Sequence, residues 1–456
     1  MRAWLFSFDP ASALRACSRG AVSAELFLED TVAYSVVLED GDVEAAGALE
    51  TRGLSARAID REGLVRFASS TGLSAEDAAR TAAAVGGTGR PSARPPEGLE
   101  VYATALERPP SAISLEARVA LAQVAHRAAR DGTAHVRVFL RDSLRSISIA
   151  HSGGGYRGAA LARALIGVEV IARDGARVEA AFESSGGEGS LLELTEARVT
   201  AVARLARARA LALLAAPEAE AGQMPVILGS EAGGTFVHEA VGHPLEADLV
   251  LDGVSVFEDR VGSRIASPLL TVVDDPSLVG HNGSFPIDDE GTPAARTVLI
   301  EDGVLRRYLS DRRTGLLLGQ ATTGNARRES FRCRPIVRMS NTLILPGPHD
   351  PREILADTPR GLYVARMGGG EVDTVTGHFV FEAAEAYRIE GGQLGPLVRG
   401  ATLTGDTESV LKSIDRVGHD LGFGIGTCGK EAQDVPITDG EPTIRIPALV
   451  VGGRTA

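Results

Sequence analysis

The hexapeptide His238-Glu239-Ala240-Val241-Gly242-His243 places the tightest demand on the chain. Two neutral imidazoles can bind a zinc ion, and a neighbouring glutamate can take a proton from water that the ion activates. The familiar zinc helix spaces its histidines four residues apart, about 40° on the helical wheel. Here the second histidine comes five residues after the first. That separation is about 140° on an ideal helix, too wide for a single ion. One π-type turn would restore a common face. Gly242 precedes His243 and Pro244 follows it, and a residue before proline is pushed off helical dihedrals. The spacing therefore predicts a helix carrying His238 and Glu239, with His243 at a bulge or on the turn leaving it. The competing reading is structural, with one ring capping a helix and the other hydrogen-bonded in a core.

The remaining composition suits a scaffold for such a site. At 456 residues the chain exceeds one ordinary domain, and 44% apolar residues can fill real cores. Its 53 glycines and 22 prolines point to strands and turns rather than a helical bundle. The net charge of −13 argues against nucleic acid or an anionic membrane as partner. Three cysteines, Cys17, Cys333 and Cys428, make a poor disulfide framework and suit a reducing compartment. The opening MRAWLFSFDP is too brief an apolar run for a signal peptide, and no stretch approaches the roughly 20 apolar residues that span a bilayer. A cytoplasmic location is expected.

Along the chain, Ala24–Glu29 and Thr31–Leu38 read as strands before an acidic turn containing Asp40-Gly41, and Leu54–Phe67 continues the sheet. Ser74-Ala75-Glu76-Asp77 has capping-box form and opens an alanine-rich helix. The Gly/Pro-dense stretch 86–98 reads as a connector. Ser114 opens a second helix, strands follow at His135–Phe139 and Ser146–His151, and Thr195–Ala215 is a long helix. Arg204, Arg207 and Arg209 on that helix read as a solvated face. The turn Ser152–Gly158 lacks the following Lys-Ser/Thr of a phosphate loop. After a linker at Pro217–Gln223 the pattern becomes strand-rich, with Asp302-Gly303 a strong hairpin signal. The expected organisation is α+β: an N-terminal α/β subdomain (1–90), a second one (99–216), and a strand-rich metal-binding domain (224–456).

The stretch HEAVGHPLEAD resembles the metal motif of the TldD/PmbA family of metallopeptidases, in the branch that keeps HExxxH. Further blocks are similar in the family's order: Asp288-Asp289-Glu290-Gly291-Thr292-Pro293, Arg327-Arg328-Glu329-Ser330, Arg338-Met339-Ser340-Asn341-Thr342, Gly368-Gly369-Gly370-Glu371-Val372-Asp373 and Gly426-Thr427-Cys428-Gly429-Lys430. They cover essentially the whole C-terminal half; the N-terminal half matches more loosely. The resemblance implies a Zn²⁺ peptidase, with His238, His243 and Cys428 as metal ligands and Glu239 as the base. It also implies an unfolded or extended peptide substrate and a dimer, formed with a second copy or with a paralogue that lacks the motif.

Several readings stay open at this level. Cys428 between Gly426-Thr427 and Gly429-Lys430 reads as lying on a tight loop, with Lys430 available to hold a thiolate; as a small buried hydrophobe it would need neither. Glu246 is the other candidate third ligand, or a residue fixing an imidazole. Arg327, Arg328, Arg338 and Asn341 are candidates to bind substrate backbone, to stabilise an oxyanion, or to anchor strands. Cys333 reads as structural, and His281, His349, His378 and His419 show no ligand spacing. A zinc amidase on small molecules and a non-hydrolytic subunit of a peptide-maturation complex are the competing functions.

Overall fold

In the computed structural model, which describes residues 7–94, 98–103 and 106–453, the hairpin signals of the sequence are in place. Asp40 and Gly41, both at positive φ, join two long strands, Ser23–Glu39 and Asp42–Ile59. Asp302 and Gly303 likewise join Thr297–Glu301 to Val304–Leu305. Such two-residue turns match the right-handed twist of the strands they connect. The apolar run at residues 1–6 and residues 95–97 of the connector lie outside the described residues.

Strands from both sides of the connector form one seven-stranded sheet. Its order is 65–70, 42–59, 23–39, 135–151 and 156–174, and the outer edge of 156–174 is shared by 100–103 and 177–188. The short strands expected at Ala24–Leu38 and His135–His151 are two continuous 17-residue strands. The Ser152–Gly155 segment is the turn between 135–151 and 156–174, where the Gly153 amide donates to His151 Nδ1.

Alternation along these strands decides which face is covered. Leu26, Leu28, Val36 and Leu38 face the helices. Helix Ala75–Val85 carries the expected capping box at Ser74 and Asp77. Helix Glu196–Ala215 is capped by Thr195 and buries Val199, Ala203, Ala206, Ala210 and Leu213, one stripe at helical spacing. On the opposite face Phe27, Ile147 and Ile149 pack against Ile287 and Phe331 of the C-terminal half.

That contact is reinforced by buried ion pairs. Arg328 reaches Glu25 at 2.6 Å and Arg145 reaches Asp289 at 2.9 Å, while Arg57 binds both Glu25 and Glu290. Buried guanidinium groups are tolerated where carboxylates neutralise them in this way.

In the C-terminal half, five strands close a barrel: Arg360–Val372, Gly222–Leu228, Ile444–Gly452, Thr402–Asp406 and His378–Glu390, which pairs back with the first. Beside it lies a six-stranded sheet ordered 304–305, 297–301, 272–274, 341–344, 433–441 and 422–430. One large core joins the two and includes Phe236, Val237, Ala240 and Val241 of the histidine-bearing segment. The Phe236 ring sits edge-on to Phe379 and Phe381 of the barrel. The architecture is α+β, and no helix among the described residues is long and apolar enough to cross a membrane.

Candidate metal centre

Gly233 and Gly234 turn into a short helix, Thr235–Val237, with φ of +104° and +73°. A Cβ on Gly234 would lie 2.7 Å from Asp439, so this turn packs directly on the strand Gln433–Glu441. From His238 to Gly242 the backbone widens into a π turn, and His243 begins a 3₁₀ turn that ends at Leu245. The wider turn brings residues five apart over one another. The two imidazole rings accordingly sit 4.9 Å apart, nearly perpendicular at 88°. A Cβ on Gly242 would collide with the Met339 side chain, which is why the π turn has glycine there.

Cys428 comes from the edge of the six-stranded sheet. It lies on strand Gly422–Lys430, opposite Val435, rather than on the expected tight loop. The turn is one step further on, at Glu431 and Ala432, both at positive φ. The glycines that gave the segment a loop-like composition serve close packing instead. A Cβ on Gly424 would strike the Gly233 carbonyl, and one on Gly422 the Ser230 carbonyl.

The donor atoms of His238, His243 and Cys428 all lie within 4.8 Å of one another. Each ring is oriented by a carboxylate at Nδ1: Asp439 Oδ1 at 2.9 Å for His238 and Glu246 Oε2 at 2.9 Å for His243. Both Nε2 atoms are thereby left for a shared ion, as is usual for carboxylate-held metal histidines. His243 Nε2 stands 3.4 Å from Cys428 Sγ. Tetrahedral zinc with ordinary Zn–N and Zn–S bonds separates such donors by about 3.5 Å. The residues fit a mononuclear metal with three protein ligands and a fourth position for solvent.

The electrostatics of the trio follow from its burial and close contacts. Burial alone would push the Cys428 thiol up, but hydrogen bonds and charge from both imidazoles bring it down to about 5. Burial would push His243 down; Glu246 and Cys428 outweigh it and raise it to about 9. His238 is likewise raised well above the usual imidazole range, with Asp439 overcoming desolvation. These shifts favour a thiolate beside an imidazolium in the metal-free site, a donor set that gives up protons to bind a cation. Glu239 lines the same cleft, and burial pushes its carboxyl up.

Of the two readings of Glu246, the structure shows the one that fixes an imidazole: it is buried and bonded to Nδ1 of His243. Two expectations need correction. Lys430 does not hold the thiolate: its ammonium donates to Glu246, Asp248 and the Val337 carbonyl. Arg209 is not on a solvated face. It pairs with Glu183 and Glu385 and lines the metal cleft, because neighbouring strands present carboxylates within reach of its long side chain.

The other candidates anchor strands. Arg338 donates to the Cys428 and Gln433 carbonyls, Arg327 to those of Met339 and Pro436, and Asn341 to the Asp275 carbonyl. All three cysteines are free. The sequence reading missed Asp439, 201 residues from its histidine, for which no spacing rule exists.

The cleft above these groups has a volume of about 610 Å³. Consecutive residues 181–185 of one strand and 423–429 of another line it. Among the described residues, strand 177–188 pairs only with 156–174 and strand 422–430 only with 433–441, so an edge strand of each sheet borders the cleft.

A carboxylate-oriented His-His-Cys set with an adjacent glutamate, at the floor of an open cleft, defines a centre of the metallopeptidase type. Models of the PmbA/TldA metallopeptidase match in three consecutive blocks: domain 1 at residues 24–86, the central domain at 108–214 and the C-terminal domain at 221–453. The chain belongs to the TldD/PmbA metallopeptidase family.

A protein of Methanothermobacter thermautotrophicus named metalloprotease is 38% identical over 347 residues, 76% of each chain. A metalloprotease TldD homolog of Haemophilus influenzae is 41% identical over 295 residues, 63% of this chain and 61% of that one. A zinc metalloprotease TldD homolog of Saccharolobus solfataricus is 37% identical over 235 residues, 51% of this chain and 52% of that one. The solved TldE of Thermococcus kodakarensis shares the fold, with a TM-score of 0.72 at 17% identity over 96% of this chain and 99% of that one.

Proposed function

We propose that the protein is a zinc-dependent peptidase that hydrolyses extended segments of unfolded polypeptides or peptide precursors. The carrying observation is the pair of edge strands bordering one cleft whose floor bears His238, Glu239, His243 and Cys428. An extended peptide can add to such an edge through main-chain hydrogen bonds, which read little sequence. Zinc held by the two histidines and the cysteine would supply Lewis acidity and lower the pKa of water. Glu239 would take the proton from that water as its oxygen bonds to the peptide carbonyl carbon. The same carboxyl would return the proton to the amine nitrogen as the C–N bond breaks. Asp439 and Glu246 keep both rings in the tautomer that the ligand role requires.

The test is a Glu239→Gln variant assayed on an unstructured protein and on small acyl-amides, with metal content measured in parallel. Retained zinc with loss of protein cleavage supports the proposal. Cleavage confined to small amides would make the protein an amidase, and wild-type zinc without any hydrolysis would make it a binding subunit. Dimerisation, with itself or with a motif-lacking paralogue, and a cytoplasmic setting belong to the same proposal. Three free cysteines support a reducing compartment.

A further inference from the structure

Lys430 is a largely covered cation, its side chain 10% exposed, whose bonds all lead away from the cysteine two residues before it. An ammonium has three donors. Here the acceptors are Glu246 Oε2 at 3.0 Å, Asp248 Oδ1 at 2.7 Å and the Val337 carbonyl at 3.2 Å. Three acceptors use all three donors, so none remains for Cys428 Sγ.

Glu246 is fully buried, and only one of its oxygens is engaged. Oε2 meets both Lys430 and His243 Nδ1, while Oε1 has no hydrogen-bond partner among the described residues. The ammonium therefore does two things. It adds to His243 and Arg338 in neutralising a carboxylate whose burial is otherwise costly. It also selects which carboxylate oxygen, at what angle, faces the imidazole. Lysine carries a point charge on a flexible stem, so its own position needs fixing. Asp248 supplies this from the far side of Nζ. That carboxylate borders a separate small cavity, of about 80 Å³, together with Arg57 of the N-terminal sheet and Arg334.

We propose that Lys430 and Asp248 are positioning residues for the metal, acting in series through Glu246 to hold the His243 ring with Nε2 directed at Cys428 and the ion. The proposal rests on the reading of His243 as a ligand. It differs from a thiolate-stabilising role for Lys430 in its route: the ammonium reaches the site through Glu246 and His243, not through the sulfur.

The experiment measures zinc affinity by competition with a chelator for full-length wild type, Lys430→Met, Lys430→Arg and Asp248→Asn. Lys430→Met is also measured in a Glu246→Gln background, where the carboxylate that relays its effect is gone. Loss of an outer-shell partner of a metal ligand typically costs 10–100-fold in affinity. Lys430→Met is expected to lose roughly that much, Asp248→Asn to shift in the same direction by less, and Lys430→Arg to recover part of the loss. In the Glu246→Gln background Lys430→Met should cost little further. A folded Lys430→Met with wild-type zinc affinity overturns the proposal, as does a full additional loss in the Glu246→Gln background. If Lys430→Met does not fold, unchanged affinity in Asp248→Asn overturns it. Wild-type protein that takes up no zinc would overturn the reading of the centre itself, and the clamp with it.

Discussion

His243 Nε2 and Cys428 Sγ are 3.4 Å apart although 185 residues separate them in the chain. The first is delivered by a π turn and the second by an edge strand, and neither element alone would make a metal site. Their meeting depends on the packing of the Gly233-Gly234 turn against strands 422–430 and 433–441. Substitutions that disturb either element should be read at the metal.

Gly242→Ala is the most local of these. Its Cβ would collide with Met339 in the core beneath the π turn. Overpacking of this kind typically costs about 1–3 kcal/mol. A loss of that size in denaturant unfolding, with weaker zinc binding, is expected. Coupled with Met339→Ala in a double-mutant cycle, the two changes should be less than additive.

Arg338 ties together both strands of the hairpin that carries Cys428, through the Cys428 and Gln433 carbonyls. Lys cannot reproduce this planar fork. Arg338→Met would leave buried carbonyls unpaired, at about 1–3 kcal/mol. Lower unfolding stability and lower zinc occupancy are expected together; lost stability with wild-type zinc affinity would place Arg338 outside the support of the site.

Glu239→Gln should bind zinc as wild type does, because no ligand changes. Loss of a general base typically costs on the order of 10²–10⁴ in rate. A peptidase assay on an unstructured protein, with metal content as control, measures both. Wild-type turnover in this variant would remove Glu239 from the chemistry.

The pH dependence follows from the ligands' protons. Zinc binding must deprotonate His243, raised to about 9 in the metal-free protein, and His238, also raised. Cys428, lowered to about 5, is already a thiolate at neutral pH. Near pH 7.5, zinc binding should release protons, His243 contributing one, and affinity should climb with pH towards about 9. Calorimetry in buffers of different ionisation enthalpy counts them.

In the metal-free protein the same groups contribute to folding. The raised His243 stabilises fully below its ordinary 6.5, and this contribution is lost as pH rises through about 9. The depressed Cys428 stabilises above its ordinary 9.0, and this is lost as pH falls through about 5. The melting-temperature gap between wild type and Cys428→Ala should therefore narrow as pH falls through about 5.

How far the sequence was legible differs by element. The His-Glu-x-x-x-His spacing cannot work on a regular helix, and that steric argument alone led to the π turn seen at His238–Gly242. Capping at Ser74 and Ser114 gave two helix starts, because an N-cap hydrogen bond is local. The Cys428 strand was illegible for a physical reason. Glycines at 422, 424 and 426 look like a loop in composition, yet those at 422 and 424 permit backbone-to-backbone packing on Ser230 and Gly233. Asp439 and the Lys430–Glu246 bond were beyond reach because they depend on contacts between distant segments. Arg209 was misplaced because helical periodicity reports which face is apolar, and does not report what neighbouring strands offer a long cation.

The most direct measurement of the central claim is metal stoichiometry on purified protein, wild type beside His243→Ala and Cys428→Ala. The geometry predicts about one zinc per chain in the wild type and loss in both variants, since each removes one of three ligands. Full zinc retention in Cys428→Ala would contradict it, and would show that the metal is held without the strand that brings Sγ to His243.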